Sequence, residues 1–244
     1  MTPKVHIQDL GRNNYKATWD LQEKVFKGIV QSKISRRNAG LDPRDEGPED
    51  EPSLALPESH LFWVEHPHVL TLGKSGEASN VVVPEARLRE LGVQYYPINR
   101  GGDITYHGPG QIVGYPILDL DQFFTDIHKY LRFLEEAVIR TCAEYGVIAG
   151  RIHGLTGVWV DHEAGLAARK ICAFGVKCSR WVTMHGLAFN VNTDLSFFNL
   201  IVPCGISDRG VTSLSAEVGR TLDQTQVQAQ LQRHLGELFG WSEA

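Results

Sequence analysis

The sequence predicts an α/β or α+β chain, on three observations. At 244 residues, with 42% hydrophobic and 22% charged, it is long enough to bury one sizeable core or two small ones. Phe123 to Tyr145 carries Ile127, Tyr130, Leu131, Leu134, Ala137, Val138, Thr141 and Tyr145 on one helical stripe. Short apolar runs bounded by Gly, Pro and polar residues recur along the rest of the chain, spaced for hairpin-type connections between strands.

Taken in order, Tyr15 to Val30 sets Tyr15, Trp19, Val25, Phe26, Ile29 and Val30 among charges, as in an amphipathic helix packed on a sheet. Residues 1–34 are therefore expected to add a strand and helix to the core. Residues 35–57 change character, with prolines, glycines and the acidic run Asp42 to Pro52, and are expected to form a flexible loop. The remainder, 58–244, is expected to fold with the N-terminal part into a single globular unit, and the family resemblance given below implies that it is the catalytic domain. Leu61 to Glu65 and Val69 to Leu72 are short strands about the turn His66-Pro67-His68. Gly73-Lys74-Ser75 is not a phosphate loop, because the required earlier glycine position holds His68. Pro84 starts a short helix to Leu91. Strands follow at Val93 to Ile98, Gln111 to Leu118, Gly157 to Val160, Lys170 to Val176 and Met184 to Val191. A last helix from about Thr225 to Phe239 places Val227, Leu231, Leu235 and Leu238 on one face.

Between the strands at 93–98 and 111–118 lies Arg100-Gly-Gly-Asp-Ile-Thr-Tyr-His-Gly-Pro-Gly-Gln111, with four glycines in twelve residues. Turns use Gly and Pro as well, but Arg100, Tyr106 and His107 among those glycines point to a site. Glycine permits close approach, and polar residues on a rigid loop are how folds present binding groups.

Cys204 stands in Ile201-Val-Pro-Cys-Gly-Ile206, where Pro203 stiffens the approach and Gly205 permits a sharp turn. The thiol is either a small buried residue or a nucleophile displayed beside free backbone N–H groups that suit an oxyanion. A free thiol has a pKa of ~8.5 and needs a cation or base beside it to react. Lysine fits that need, and composition alone does not choose among the 24 basic residues. Cys142, beside the 123–145 stripe, is expected in the core.

Five blocks in order carry a resemblance: Arg100 to Gln111, Lys170-Ile-Cys-Ala-Phe-Gly-Val-Lys177, His185-Gly-Leu-Ala-Phe-Asn-Val191, Pro203-Cys-Gly-Ile206 and Gly210-Val-Thr-Ser-Leu214. Together they resemble the lipoyl(octanoyl) transferases. The resemblance implies a mixed β-sheet flanked by helices, the fold of biotin and lipoate protein ligases. It implies transfer of an octanoyl group from octanoyl-acyl carrier protein to a lysine of lipoyl domains, those of 2-oxoacid dehydrogenases and of the glycine cleavage H protein. It implies Cys204 as the acyl-thioester cysteine and Lys170 as the lysine that lowers its pKa. The implied substrate-lining residues are Arg100, Gly101, Gly102, Asp103, Ile104, Thr105, Tyr106 and His107, then Ala173, Phe174 and Gly175, then Gly186, Leu187 and Ala188. Ile104, Phe174 and Leu187 are expected to wall an acyl tunnel, with Lys74, Lys177, Arg180 and Arg209 offering a basic entrance.

Thioester exchange is nearly balanced, so no ATP is required; no cofactor and no metal are expected. His107 as a general base is an open alternative. Three rivals remain: an ATP-dependent lipoate or biotin ligase, a zinc protein using Cys172, Cys178 and His185, and a non-catalytic acyl-binding module. With 24 basic and 29 acidic residues, the net charge of −5 argues against global attraction to nucleic acid or anionic lipid. The first residues lack a signal-peptide run and no 18-residue apolar stretch occurs, so a cytoplasmic protein with no membrane association is expected.

Overall fold

The computed structural model describes residues 2–48, 50–202 and 210–244, with every side chain among them except that of Leu166. In chain order the strands are β1 (Lys4–Arg12), β2 (Ser59–Glu65), β3 (Val69–Leu72), β4 (Gln94–Pro97), β5 (Ile104–His107), β6 (Gln111–Ile117), β7 (Ala149–Ile152), β8 (Leu155–Val160), β9 (Arg169–Ser179), β10 (Val182–Asn190), β11 (Gly210–Val211) and β12 (Ser242–Glu243). The helices are α1 (Tyr15–Asn38), α2 (Glu85–Glu90), α3 (Ile127–Glu144), α4 (Leu214–Val218) and α5 (Gln224–Phe239).

The main sheet is mixed and runs β12-β1-β2-β6-β10-β9-β8-β7, with β11 added in parallel to β9. A smaller sheet has the order β4-β3-β5. This is the mixed, helix-flanked sheet that the sequence led us to expect. On one face α3 and α5 pack through Leu134, Val138, Leu231 and Leu235 onto Leu61, Ile112, Leu187 and Phe189. On the other, α1 lays Phe26 and Ile29 against Phe62, Val113, Met184 and Ala188. A large aliphatic or aromatic side chain buried this fully contributes about 1.5–3 kcal/mol, so the two faces together clamp the sheet.

Element ends follow from capping residues. Asp126 accepts from His128 and Lys129 N–H groups, which starts α3 at Ile127 rather than at Phe123. Asp223 does the same for α5, and Leu238 is only partly buried where Phe239 is buried. The apolar pattern of α1 fades after Val30, yet the helix continues to Asn38 because Arg36 is buried there. Its guanidinium donates to the carbonyls of Leu54, Asp42 and Asp45, so helix and side chain both reach into the segment read as a flexible loop. The stretch from Arg100 to Gln111 is not one loop either. Ile104 to His107 forms β5, whose alternation sends Tyr106 to one face and His107 to the other.

No helix among the described residues is long and apolar enough to cross a membrane.

Candidate active site

A cavity of about 440 Å³ lies where residues 100–107 meet β9 and β10. That is within the size range of small-molecule sites. Its wall is built from two strand segments in register: Gly175 faces Gly186, Phe174 faces Leu187, and Ala173 faces Ala188. The glycines are required. A Cβ on Gly186 would lie 2.2 Å from the Gly114 carbonyl oxygen, and one on Gly175 would lie 2.7 Å from Arg100 Cδ. Bare backbone at Gly175 thus lets Arg100 lie across the sheet.

Arg100 is 7% exposed and donates through Nη2 to the Thr71 carbonyl at 2.7 Å and to Thr71 Oγ1 at 3.0 Å. Gly101, Gly102, Asp103, Ile104, Thr105 and His107 also border the cavity. Asp103 is fixed by Asn80, whose Nδ2 donates to it at 2.8 and 3.0 Å. Tyr106, unlike its neighbours in this segment, does not border the cavity. It lies on the opposite face of β5, where its hydroxyl meets His68 Nδ1 at 2.8 Å and its ring stacks on Phe197.

His107 stacks on Tyr15 and faces His66, and burial, with the nearby His66 adding to it, pushes its pKa down to about 3. Such an imidazole stays neutral and is too weakly basic for the general-base role left open above. His185 sits at φ 62°, outside ordinary strand geometry, and burial beside Arg100 pushes its pKa to about 3 as well. Its Nε2 meets Asn99 Oδ1 at 3.0 Å, and Asn99 Nδ2 donates to Glu23. A carboxylate only accepts, so the Asn99 oxygen faces His185, Nε2 carries the proton and Nδ1 is the acceptor. The residues of the zinc reading do not gather into a site: among the described residues no group of three or more His, Cys, Asp or Glu side chains is placed to hold a metal ion, and His185 is held by Asn99.

Lys170 borders the same cavity from the other half of β9. Between Val158 and Trp159 the β8 register on β9 slips from Cys172 to Lys170, leaving Ile171 extra. Such a bulge re-aims a side chain. The Lys170 ammonium lies 4.7 Å from the centre of the Trp159 ring. Just there β11 takes the edge of β9 that β10 leaves, pairing Gly210 with Arg169 and Val211 with Lys170.

Cys204 and Arg209 lie outside the described residues. The flanks of that stretch do not: Phe198 before it, and Gly210 and Val211 after it, border the cavity with Lys170. The other three cysteines are held towards the thiol form. Burial pushes Cys142 up to about 12, holds Cys172 well above the usual thiol range and raises Cys178. At the expected entrance Lys74 and Arg180 are exposed, whereas Lys177 is tied to Glu23 at 3.3 Å over the Phe26 ring.

The chain matches the family model of the lipoyl protein ligase A/B catalytic domain over residues 14–236. It is 54% identical over 241 residues to the octanoyltransferase of Flavobacterium johnsoniae, covering 98% of each protein. It is 52% identical over 235 residues to that of Cytophaga hutchinsonii, covering 96% of this chain and 92% of the other. The chain belongs to the octanoyltransferase family. Octanoyltransferases are acyltransferases, and that is the class of this enzyme. Solved structures carry the fold further. A lipoate-protein ligase A bound with ATP has a TM-score of 0.68 at 16% identity, covering 100% of this chain and 89% of the other. A bi-partite lipoate protein ligase from Thermoplasma acidophilum has 0.66 at 15%, covering 100% and 86%.

Sequence reasoning had missed Tyr15, Tyr115, Leu131, Trp159, Asn190 and Phe198 as cavity residues. Asn190 stood inside a recognised block, as did Gln111, Val176, His185, Gly210 and Val211, which border the cavity as well. The rest of those missed are ordinary core residues of their elements, brought together only by the crossing of sheet and loop.

Proposed function

We propose that this chain moves an octanoyl group from octanoyl-acyl carrier protein to a lysine amine of lipoyl domains, through a thioester on Cys204. What carries the reading is one juxtaposition: Lys170 and both flanks of the 203–209 stretch border a single cavity, with β11 hydrogen-bonded alongside Lys170.

In the first step Lys170 accepts the Cys204 proton and the thiolate attacks the thioester carbonyl. The bond to the carrier sulfur breaks, the carrier thiol takes the proton, and Cys204 holds the acyl group. In the second step the lipoyl-domain amine attacks that thioester, its proton passes to Lys170, and the Cys204 sulfur leaves. A thioester has become an amide, so the second step runs downhill with no nucleotide. Ala173, Phe174, Leu187 and Ile104 enclose the chain, each buried methylene contributing about 0.8 kcal/mol. Arg100, His107 and His185 position groups in this scheme and exchange no protons. Lipoyl domains of 2-oxoacid dehydrogenases and of the glycine cleavage H protein are the acceptors this chemistry serves.

The test is transfer to a purified lipoyl domain. Octanoylated domain formed from octanoyl-acyl carrier protein without ATP supports the proposal. Product appearing only with free octanoate and ATP would refute it.

A further inference from the structure

Buried polar groups between the two ends of the cavity form a chain in which every hydrogen bond runs the same way. Two backbone carbonyls fix its direction. Asn190 Nδ2 donates to the Thr212 carbonyl at 3.0 Å, which leaves Asn190 Oδ1 facing Gln111. Gln111 Nε2 donates to that oxygen at 2.9 Å and to the Tyr106 carbonyl at 3.2 Å. Gln111 Oε1 therefore faces His107 Nδ1, 2.9 Å away, and that nitrogen must carry the proton. His107 Nε2 is then a lone pair, which accepts from Thr71 Oγ1 at 3.4 Å, and Thr71 Oγ1 accepts from Arg100. At the other end the Thr212 N–H donates to the Lys170 carbonyl at 2.9 Å.

Gln111 and Asn190 are a directly opposed pair at the last rung between β6 and β10, exposed by only 1% and 4%. Strand pairing alone does not call for polarity at that rung. The pair instead satisfies buried groups on two other segments: the Thr212 carbonyl on one, the Tyr106 carbonyl and His107 Nδ1 on the other. We propose that Gln111 and Asn190 are positioning residues for acyl transfer, locking Arg100 and His107 of the substrate loop to the Val211–Thr212 segment beside Lys170. The role rests on the reading of Lys170 and Cys204 given above. Acting together, the links hold the acyl wall and the lysine in one geometry, and misplacing reacting groups by about 1 Å costs on the order of a hundredfold.

The experiment compares wild type, Asn190→Leu and Gln111→Leu with Gln232→Leu, which loses the hydrogen bond from Trp63 Nε1 outside this chain. Acyl-enzyme formation from octanoyl-acyl carrier protein is followed by rapid quench at several donor concentrations. Unfolding midpoints in urea are measured alongside. The imidazole 15N spectrum of wild type, with His107 assigned by His107→Asn, reports the tautomer. We expect a neutral His107 protonated at Nδ1. We expect Asn190→Leu and Gln111→Leu to stay folded, with urea midpoints below wild type because each strands buried partners, and to lower the limiting acylation rate at least about tenfold with half-saturation changed less than about twofold. A wild-type His107 protonated at Nε2 would overturn the chain, and acylation as fast as in Gln232→Leu would overturn the role. No adduct on wild type with the Nδ1 tautomer intact would instead strike the transferase reading on which the role rests.

Discussion

Gly157 lies directly under the Lys170 side chain. A Cβ at Gly157 would fall 3.2 Å from Lys170 Cε and 3.0 Å from Trp159 Nε1, and its φ of 145° is one that residues with side chains rarely adopt. Its N–H is held by Glu135, a fully buried carboxylate that Arg151 and Arg132 also contact. The lysine thus stands in a slot made by a missing side chain and pinned from beneath by α3.

Gly157→Ala is expected to displace Lys170 and strain the backbone, costing on the order of 1–3 kcal/mol in stability and at least about tenfold in acylation rate. Urea unfolding and quench kinetics measure the two separately. An alanine variant that acylates at the wild-type rate would show that the slot does not set the lysine.

Phe174 and Leu187 face each other across β9 and β10 at the cavity wall. Phe174→Ala should lengthen or widen the tunnel and shift preference from octanoyl towards longer acyl donors. Each extra methylene that finds apolar contact is worth about 0.8 kcal/mol, roughly fourfold in kcat/KM. A competition among donors of different chain length reads this, and an unchanged preference would place the limiting wall elsewhere.

Three buried imidazoles link stability to pH. Burial holds His66 at about 4 and His107 and His185 at about 3, whereas an unfolded histidine titrates near 6.5. Between those values the unfolded chain binds more protons, so stability is full above pH 6.5 and is lost as pH falls towards 4. Each residue contributes about 1.4 kcal/mol per pH unit in that window. The urea midpoint should therefore drop between pH 7 and pH 5, and a flat midpoint would contradict the neutral cluster. For the same reason neither His107 nor His185 should appear as a limb in the rate profile between pH 5 and 8.

Arg36 gathers the acidic segment by donating to the carbonyls of Leu54, Asp42 and Asp45. Arg36→Ala leaves those acceptors without their buried partner and should make residues 42–54 more susceptible to protease. Acyl transfer should be retained, because Arg36 borders no part of the cavity. Cleavage at the wild-type rate would show that the segment is held by other contacts.

Much of this was legible because it is local. The stripe of α3, the glycines around Arg100 and the apolar runs of β6, β9 and β10 each announce themselves over a few residues. What was not legible depends on closure. Arg36 reads as a surface charge until the chain folds back over it, and Tyr106 changes sides only because Ile104 to His107 pairs with β3 as a strand. The bulge that aims Lys170 depends on pairing with β8, which no stretch of β9 encodes by itself. Asn190 and Gln111 become neighbours only in the register of β10 on β6.

The central claim is covalent transfer through Cys204 with Lys170 as its base. Intact-protein mass spectrometry after mixing with octanoyl-acyl carrier protein tests it most directly, with wild type beside Cys204→Ala and Lys170→Ala. The account predicts one octanoyl group gained on wild type, none on Cys204→Ala and slow gain on Lys170→Ala. A wild type that carries no adduct while transferring octanoate only with ATP, or a Cys204→Ala variant that still acquires the group, would contradict it.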